Sequence, residues 1–296
     1  ALLELSESKR KPERRDARLV REARLFLERY PHSDRTGAVR FLLASALRRL
    51  GRDEEALPVL RRLVAEHPRN AGAVRAEFWE GEIRVARAEL DEALRAFRNC
   101  FEAWRRRRDE PPAQALLRIG RILAWKGHAQ AAQKEFDRAM KRWPDSEAVK
   151  RIEKVELPIL DRLGKEAPKI RLELPDGEAL DLGQQPGKTL VLVLWSPASD
   201  PGAKLAAELR ALQRSVAGRD DVALYGVLCD GAADFLEEAK ITFPHAVQQG
   251  GVNAPAAVAF RLARLPETVV IGRTGTIRAM GVRGKVLRSL LPQKPG

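Results

Sequence analysis

The amino-acid sequence predicts a two-domain protein in which an all-α helical-repeat solenoid is followed by an α/β domain. Two observations carry this prediction. Small and apolar residues recur at matched offsets between positions 37 and 146, and from residue 168 onwards short apolar strands alternate with amphipathic helices. With 296 residues, the chain is long enough for two separate cores. We place the helical domain at residues 1–164 and the α/β domain at residues 167–296, with a short hinge around Gly164–Lys169.

The helical repeat is visible as four positions that recur twice. Ala44, Ala56, Leu60 and Leu63 reappear 37 residues later as Gly81, Ala93, Phe97 and Cys100, and after a further 39 residues as Gly120, Ala132, Phe136 and Ala139. This spacing resembles the tetratricopeptide repeat, a helix pair with a small residue at the helix crossing and a larger apolar wedge behind it. The resemblance places repeats at about 37–70, 74–110 and 113–146, and a capping helix at 146–163 that Pro158 should kink or split.

The tetratricopeptide resemblance also implies a function for the helical surface. Arrays of this family hold a peptide or a partner protein on the concave face, which is lined by the first helix of each pair. Carried onto this sequence, that face contains Phe41, Ser45, Arg48, Phe78, Glu82, Arg121 and Trp125. Aromatic side chains beside arginine suit a recognition surface. The alternative stays open that Phe78 and Trp125 instead pack against a neighbouring helix.

The α/β domain is organised around the stretch Thr189–Gly202, with the sequence TLVLVLWSPASDPG. Its apolar run predicts a buried strand that ends at Trp195, and a turn then leads into a helix near Pro201. Together with the order of elements over residues 167–291, this pattern resembles the redoxin or TlpA-like branch of the thioredoxin superfamily. By that resemblance, the peptide bond before Pro266 is cis and Pro266 faces the active-site turn.

The residues needed for the chemistry of that family are missing from the turn. Its reaction requires a thiolate of low pKa at the helix N-terminus and a second thiol that resolves the mixed disulfide. By the resemblance, Ser199 and Gly202 occupy these two places, and Val193 stands where many members keep a buried polar or acidic residue. Because neither serine nor glycine can form a disulfide, we interpret the turn as a degenerate active site that excludes the dithiol reaction.

The chain contains two cysteines, Cys100 and Cys229. Cys100 falls where the other repeats have Leu63 and Ala139, so we expect a small buried apolar residue. Cys229 ends a predicted strand beside the strand that ends at Trp195, and we interpret it as a buried thiol. The alternative is a single-cysteine redox enzyme or sensor that uses Cys229. The two cysteines and four histidines share no ligand spacing, so we expect no metal site and no cofactor.

The net charge of +13 is concentrated in the helical part of the chain. Residues 1–170 carry 39 Lys and Arg against 28 Asp and Glu, whereas the remaining residues carry 15 against 13. The cations are mostly Arg interleaved with acids along helices, which is typical of solvated helix faces. Nucleic-acid binding is disfavoured because no basic stripe with interleaved aromatic residues occurs. Binding of an anionic polymer stays open as an alternative and would depend steeply on salt.

The location of the protein is predicted only by resemblance. TlpA-like domains mostly work outside the cytoplasm, so we expect an extracytoplasmic bacterial protein, either periplasmic or membrane-associated. The sequence holds no apolar run long enough to span a bilayer. It begins at Ala1, which leaves open whether a signal peptide or lipid anchor precedes that residue.

These observations lead to a predicted function without catalysis. We expect a scaffold that combines a tetratricopeptide surface for a protein or peptide partner with a redox-inactive thioredoxin-like module. A hydrolase built from Ser199, Asp200 and His245 is disfavoured because the GxSxG elbow is missing.

Overall fold

The computed structural model describes residues 12–105, 112–174, 177–182, 187–196, 202–230 and 234–293. By the contacts between Cα atoms, the chain divides into two compact units, Ala1–Ile119 and Gly120–Gly296. The division falls inside the first helix of the third repeat, so the rest of that repeat belongs to the same unit as the sheets. The domain boundary that we place near residue 164 stays a prediction.

The described part of the first unit consists of helices joined by short turns. They are α1 (Pro12–Arg29), α2 (Thr36–Arg49), α3 (Asp53–Glu66), α4 (Ala71–Ala86) and α5 (Leu90–Arg105), followed by the start of α6 (Ala113–Trp125). Their apolar faces meet in a core that includes Leu19, Leu43, Leu60 and Ile83. After α2, Gly51 has a φ of +70°, a left-handed conformation that glycine adopts without steric cost and that turns the chain back into α3.

The close crossing of the helices within a pair depends on glycine. A Cβ atom at Gly81 would lie 2.6 Å from the ring of Phe97, and a Cβ atom at Gly120 would lie 2.3 Å from the ring of Phe136. No real side chain tolerates such distances, so the aromatic wedge reaches the opposite backbone only where the side chain is absent. The structure thus shows the small residue and the wedge that the repeat pattern predicts.

A buried ion pair joins α1 to α2. The Asp16 side chain is 3% exposed, and Arg49 donates hydrogen bonds to its carboxylate at 2.8 and 2.9 Å. The bonds from Arg49 lower the pKa of Asp16, although burial alone would raise it. Asp16 therefore stays ionised at neutral pH and fixes the first helix on the array.

The second unit begins with the rest of α6 and the helices that follow it. These are α7 (Ala129–Arg142), α8 (Glu147–Arg151), a π-helical turn (Ile152–Glu156) and α9 (Leu157–Arg162). Pro158 lies in the first turn of α9. Because proline lacks an N–H and its ring clashes with the carbonyl four residues earlier, a regular α-helix cannot continue into this position. The capping helix is not split, because it stays helical from Glu147 to Arg162 and accommodates Pro158 after the π-helical turn.

Two β-sheets complete the second unit. Strands β1 (Arg171–Glu173) and β2 (Ala179–Asp181) form an antiparallel hairpin. The larger sheet contains β3 (Thr189–Trp195), β4 (Val222–Leu228), β5 (His245–Val247), β6 (Glu267–Ile271) and β7 (Ile277–Met280), in the order β5-β4-β3-β6-β7. Strands β3, β4 and β5 are parallel, and β6 and β7 are antiparallel to their neighbours. All seven residues of β3 are buried, as a central strand that is covered on both faces requires.

The helices of this α/β part lie between the strands and after them. They are α10 (Gly202–Val216), α11 (Asp234–Glu238), a 3₁₀ turn (Gly251–Asn253), α12 (Pro255–Ala259) and α13 (Gly284–Leu290). Phe260, which follows α12, is buried in the same apolar core as Leu192 and Leu194 of β3. No helix among the described residues is long and apolar enough to cross a membrane.

The segment between α9 and the hairpin β1–β2 is hydrogen bonded to the edge of the larger sheet. The Gly164 N–H donates to the Ile277 carbonyl and the Ile277 N–H donates to the Lys165 carbonyl, both at 2.8 Å. The Ala167 N–H donates to the Gly275 carbonyl at 2.9 Å. Where the sequence predicts a hinge, the chain instead pairs with the start of β7 and the turn before it, and it covers backbone groups of an edge strand.

Candidate functional site

The redoxin-like turn lies at the end of β3, where the chain passes towards α10. Ser199 lies outside the described residues, and Gly202 is the first residue of α10. Trp195, Ser196, Cys229 and Pro266 lie at the same end of the larger sheet, and all four are buried.

Cys229 lies directly after β4, and its thiol is fully buried. Its N–H donates to the Trp195 carbonyl at 2.7 Å, which continues the pairing of β4 with β3 by one residue. The thiol donates a weak hydrogen bond to the Val227 carbonyl at 3.7 Å. Burial, with a smaller contribution from the neighbouring Asp230 carboxylate, raises the pKa of the Cys229 thiol to about 11. The environment therefore favours the neutral thiol over the nucleophilic thiolate.

The peptide bond between Leu265 and Pro266 is cis, as the resemblance implies. The Pro266 carbonyl accepts a hydrogen bond from Arg283 at 2.8 Å. Glu267 follows and begins β6 opposite Leu194 of β3. Its carboxyl group is buried and lies 3.8 Å from the Nε of Arg264. Burial raises the pKa of Glu267, although the nearby arginines act to lower it.

Sequence reasoning missed Glu267 as a site residue. The signal was present, because an ionisable residue lies two positions before the apolar run 269–271. Glu267 pairs with Leu194 in the β3–β6 register, so its buried carboxyl group lies on the opposite face of the sheet from the Val193 side chain. It cannot replace the absent thiols, since a carboxyl group does not exchange electrons with a disulfide.

His245 on β5 has a structural environment. Its Nδ1–H donates to the Phe243 carbonyl at 2.7 Å, and its ring occupies the space beside Gly226, where a Cβ atom would lie 2.1 Å from the ring. Burial lowers the pKa of His245 to about 4, so the imidazole is neutral at physiological pH. Its edge faces the ring of Trp195, with the ring centroids 6.0 Å apart. These contacts describe a packed histidine that helps to hold the end of β3.

Three of the predicted partner-binding residues lie together on α2, where Phe41 and Arg48 are partly exposed and Ser45 is buried. Phe41 stacks on Trp79 of α4 with ring centroids 5.0 Å apart, and the Arg48 guanidinium lies 5.3 Å from the centroid of the same indole. Ser45 donates a hydrogen bond to the Phe41 carbonyl at 2.7 Å. Trp79 was missed by sequence reasoning, which assigned its neighbour Phe78. The residues form one aromatic and cationic cluster, which we call the Trp79 cluster and define as Phe41, Arg48 and Trp79.

Phe78 and Glu82 on α4 are held by other helices of the first unit. The ring of Phe78 packs against Phe97 and Trp104 of α5, with centroid distances of 5.3 and 5.7 Å. The carboxylate of Glu82 pairs with Arg118 of α6 at 2.5 Å. Phe78 thus packs within its own helix pair, which is one of the two alternatives stated for it above.

Arg121 and Trp125 lie in the second unit and contact elements of that unit. Arg121 forms an ion pair at 2.7 Å with the buried carboxylate of Glu156, which belongs to the π-helical turn. The indole N–H of Trp125 donates to the Met280 carbonyl at the end of β7 at 3.2 Å. Their role in binding a partner stays a prediction, but both side chains already have partners within the chain.

The remaining candidates for chemistry are few. Cys100 is fully buried, and its thiol donates to the Val74 carbonyl at 3.5 Å, as expected of a small core residue. Among the described residues, no group of three or more His, Cys, Asp or Glu side chains could hold a metal ion.

Comparison with known families agrees with both parts of this architecture. Residues 37–76 and 114–146 match tetratricopeptide-repeat models, and residues 163–280 match the model of the AhpC/TSA family. The chain combines tetratricopeptide repeats with a thioredoxin-like domain. No curated protein matches it significantly.

Several solved structures resemble the thioredoxin-like part. A thiol-disulfide oxidoreductase from Bacteroides fragilis has 22% identity and a TM-score of 0.39, covering 42% of this chain and 96% of its own. The thioredoxin domain of an oxidoreductase from Bacteroides vulgatus has 22% identity and a TM-score of 0.38, covering 43% and 93%. StoA from Bacillus subtilis has 16% identity and a TM-score of 0.34, covering 41% and 94%.

Proposed function

We propose that the protein is a non-catalytic binding protein. Its tetratricopeptide helices hold a protein or peptide partner, and its thioredoxin-like domain serves as a second binding module that performs no dithiol exchange. By the resemblance of this domain to TlpA-like proteins, we place the protein outside the cytoplasm of a bacterium.

The observation that carries the proposal is the pair of residues at the redoxin-like turn. Ser199 and Gly202 stand where the dithiol reaction needs two cysteines. The remaining thiols, Cys100 and Cys229, are buried at separate places in the chain. A thiol–disulfide exchange needs an exposed thiolate and a resolving thiol, and the residues at this turn supply neither.

The partner surface that we propose on the first unit is the Trp79 cluster. Stacked aromatic rings offer a large and rigid contact area, and arginine beside them adds a charged hydrogen-bond donor. The Phe41 and Trp79 rings remain partly exposed, and the Arg48 side chain is 27% exposed. Part of this cluster is therefore accessible to a peptide.

Restoring the thiols tests the absence of catalysis. The native protein should reduce insulin disulfides no faster than buffer containing the same dithiol reductant. The matched variant carries Ser199→Cys and Gly202→Cys, which rebuilds the CxxC spacing on the same scaffold, and it should gain reductase activity. Catalytic turnover by the native chain would contradict the proposal, and loss of that turnover in Cys229→Ser would support the single-cysteine alternative instead.

Capture of a native partner tests the binding surface. Arg48→Glu should abolish capture because it places a negative charge on the Trp79 cluster. Arg98→Glu is the matched control, since Arg98 is an exposed arginine on α5 outside the cluster. A partner that is retained by Arg48→Glu, or lost equally with Arg98→Glu, would show that the cluster does not bind it.

A further inference from the structure

A cavity of about 360 Å³ lies in the second unit between the end of α6, the segment after α9 and the β6–β7 hairpin. Its volume is at the lower end of the range of about 300–1,000 Å³ that is usual for ligand pockets. The apolar part of its lining includes Trp125, Leu163, Val270, Ile277, Ala279 and Leu290. A cavity of this size accommodates one apolar side chain together with the polar groups of one residue.

The cavity is bounded by hydrogen bonds of the chain itself. On one side, the indole of Trp125 is fixed by its bond to the Met280 carbonyl. On another, Gly164 and Ile277 are joined by the backbone bond that ties the segment after α9 to β7. All three of Trp125, Gly164 and Ile277 belong to the lining. Because fixed elements form its walls, the cavity presents a preformed surface to a ligand.

The charge of the lining is entirely positive within the described residues. Lys126 and Arg278 are its ionisable side chains, and no Asp or Glu belongs to it. Arg278 is exposed on β7 and forms no ion pair with any described residue. A guanidinium beside an apolar pocket is matched to a ligand that carries a carboxylate next to an apolar group.

We propose that this cavity binds the C-terminal residue of a protein or peptide. The terminal carboxylate pairs with Arg278, and the apolar side chain of that residue packs against Trp125. This site shares no residue with the Trp79 cluster. It therefore adds a second binding surface of defined chemistry, and it does not depend on the proposed function.

The test uses the full chain and small probes that carry only the proposed features. N-acetyl-leucine, with a free carboxylate, is titrated while the indole N–H resonance of Trp125 is followed by NMR, after assignment with Trp125→Phe. Binding should shift this resonance in a saturable manner. N-acetyl-leucinamide, which keeps the side chain and lacks the charge, should bind at least about tenfold more weakly, because a hydrogen bond to a charged partner is lost.

Two variants on the β6–β7 hairpin make the assignment specific. Arg278→Gln should lower the affinity for N-acetyl-leucine at least about tenfold and leave the affinity for N-acetyl-leucinamide unchanged. Arg273→Gln is the matched control, because Arg273 is exposed on the same hairpin, faces Asp221 at 3.6 Å and does not line the cavity. Equal binding of acid and amide, an unchanged affinity in Arg278→Gln, or no shift of the Trp125 resonance up to the solubility limit would each overturn the proposal.

Discussion

The buried environment of Cys229 makes a quantitative prediction that tests the single-cysteine alternative. A thiol with the ordinary pKa of about 8.5 is about 3% thiolate at pH 7, whereas a thiol with a pKa of about 11 is about 0.01% thiolate. Because the thiolate is the species that reacts with iodoacetamide, native Cys229 should react about 300-fold more slowly than the same residue in the unfolded chain. Burial of the sulfur slows access further, so this ratio is a lower limit.

The assay is alkylation at pH 7 with mass-spectrometric counting of the peptide that contains Cys229, in buffer and in guanidinium chloride. The native rate should also rise about tenfold per pH unit up to about pH 11, as long as the fold persists. A native rate within about tenfold of the unfolded rate, or a pH profile that levels off near pH 8, would refute the structural argument and reinstate Cys229 as a reactive thiol.

Three further predictions concern stability. Gly120→Ala should lower the free energy of unfolding by about 1–3 kcal/mol because the new Cβ overlaps Phe136, and adding Phe136→Leu should recover part of the loss in urea titrations. Asp16→Asn should cost about 1–3 kcal/mol at pH 7. That cost should vanish at pH values below the lowered pKa of the native carboxyl group, because Asp16 is then protonated and its bond to Arg49 is weakened in the parent protein too. His245 is neutral in the fold and has a pKa of about 4, so between about pH 6.5 and pH 4 the unfolded state binds a proton that the folded state does not. The free energy of unfolding should therefore fall by about 3 kcal/mol as the pH drops from about 6.5 to 4. Unfolding measured across that range should depend less on pH in His245→Asn.

The parts of the fold that sequence could predict are those specified by local repetition. The offsets that place Gly81 and Gly120 opposite Phe97 and Phe136 follow from helical geometry alone, because a wedge residue requires a small partner wherever two helices cross closely. The buried strand β3 was equally predictable, because a short continuous apolar run between turn signals is typical of a buried strand. Pattern and structure agree at these positions because a single short-range cause determines both.

Contacts between distant segments were not predictable in this way. Nothing in the local sequence around Gly164 distinguishes a free hinge from a segment that pairs with Ile277, more than a hundred positions later. Likewise, Trp79 and Phe78 are adjacent aromatic residues, and only the packing decides that Trp79 joins the cluster with Arg48 while Phe78 packs into its own helix pair. The membership of the candidate partner-binding site therefore depends on tertiary neighbours, and its role in binding stays a prediction.

The same distinction separates Arg48 from Arg121, both of which the repeat resemblance assigns to the concave face. Arg121 neutralises Glu156, whose side chain is 4% exposed, so Arg121→Glu would place two carboxylates together in a buried site and should cost about 3–5 kcal/mol. Arg48 lies over the partly exposed Trp79 ring and 3.7 Å from Asp53, so Arg48→Glu should cost no more than about 1 kcal/mol.

Urea unfolding of the two charge reversals, measured beside partner capture, tests whether the two positions still serve one function. Loss of capture in Arg48→Glu at nearly unchanged stability would identify a contact with the partner, because the fold is intact when binding fails. Loss in Arg121→Glu should accompany unfolding and carry no information about binding. If Arg121→Glu instead retained the parent stability and lost the partner, the ion pair with Glu156 would not be a structural requirement, and Arg121 would belong to the binding surface as the repeat pattern predicts.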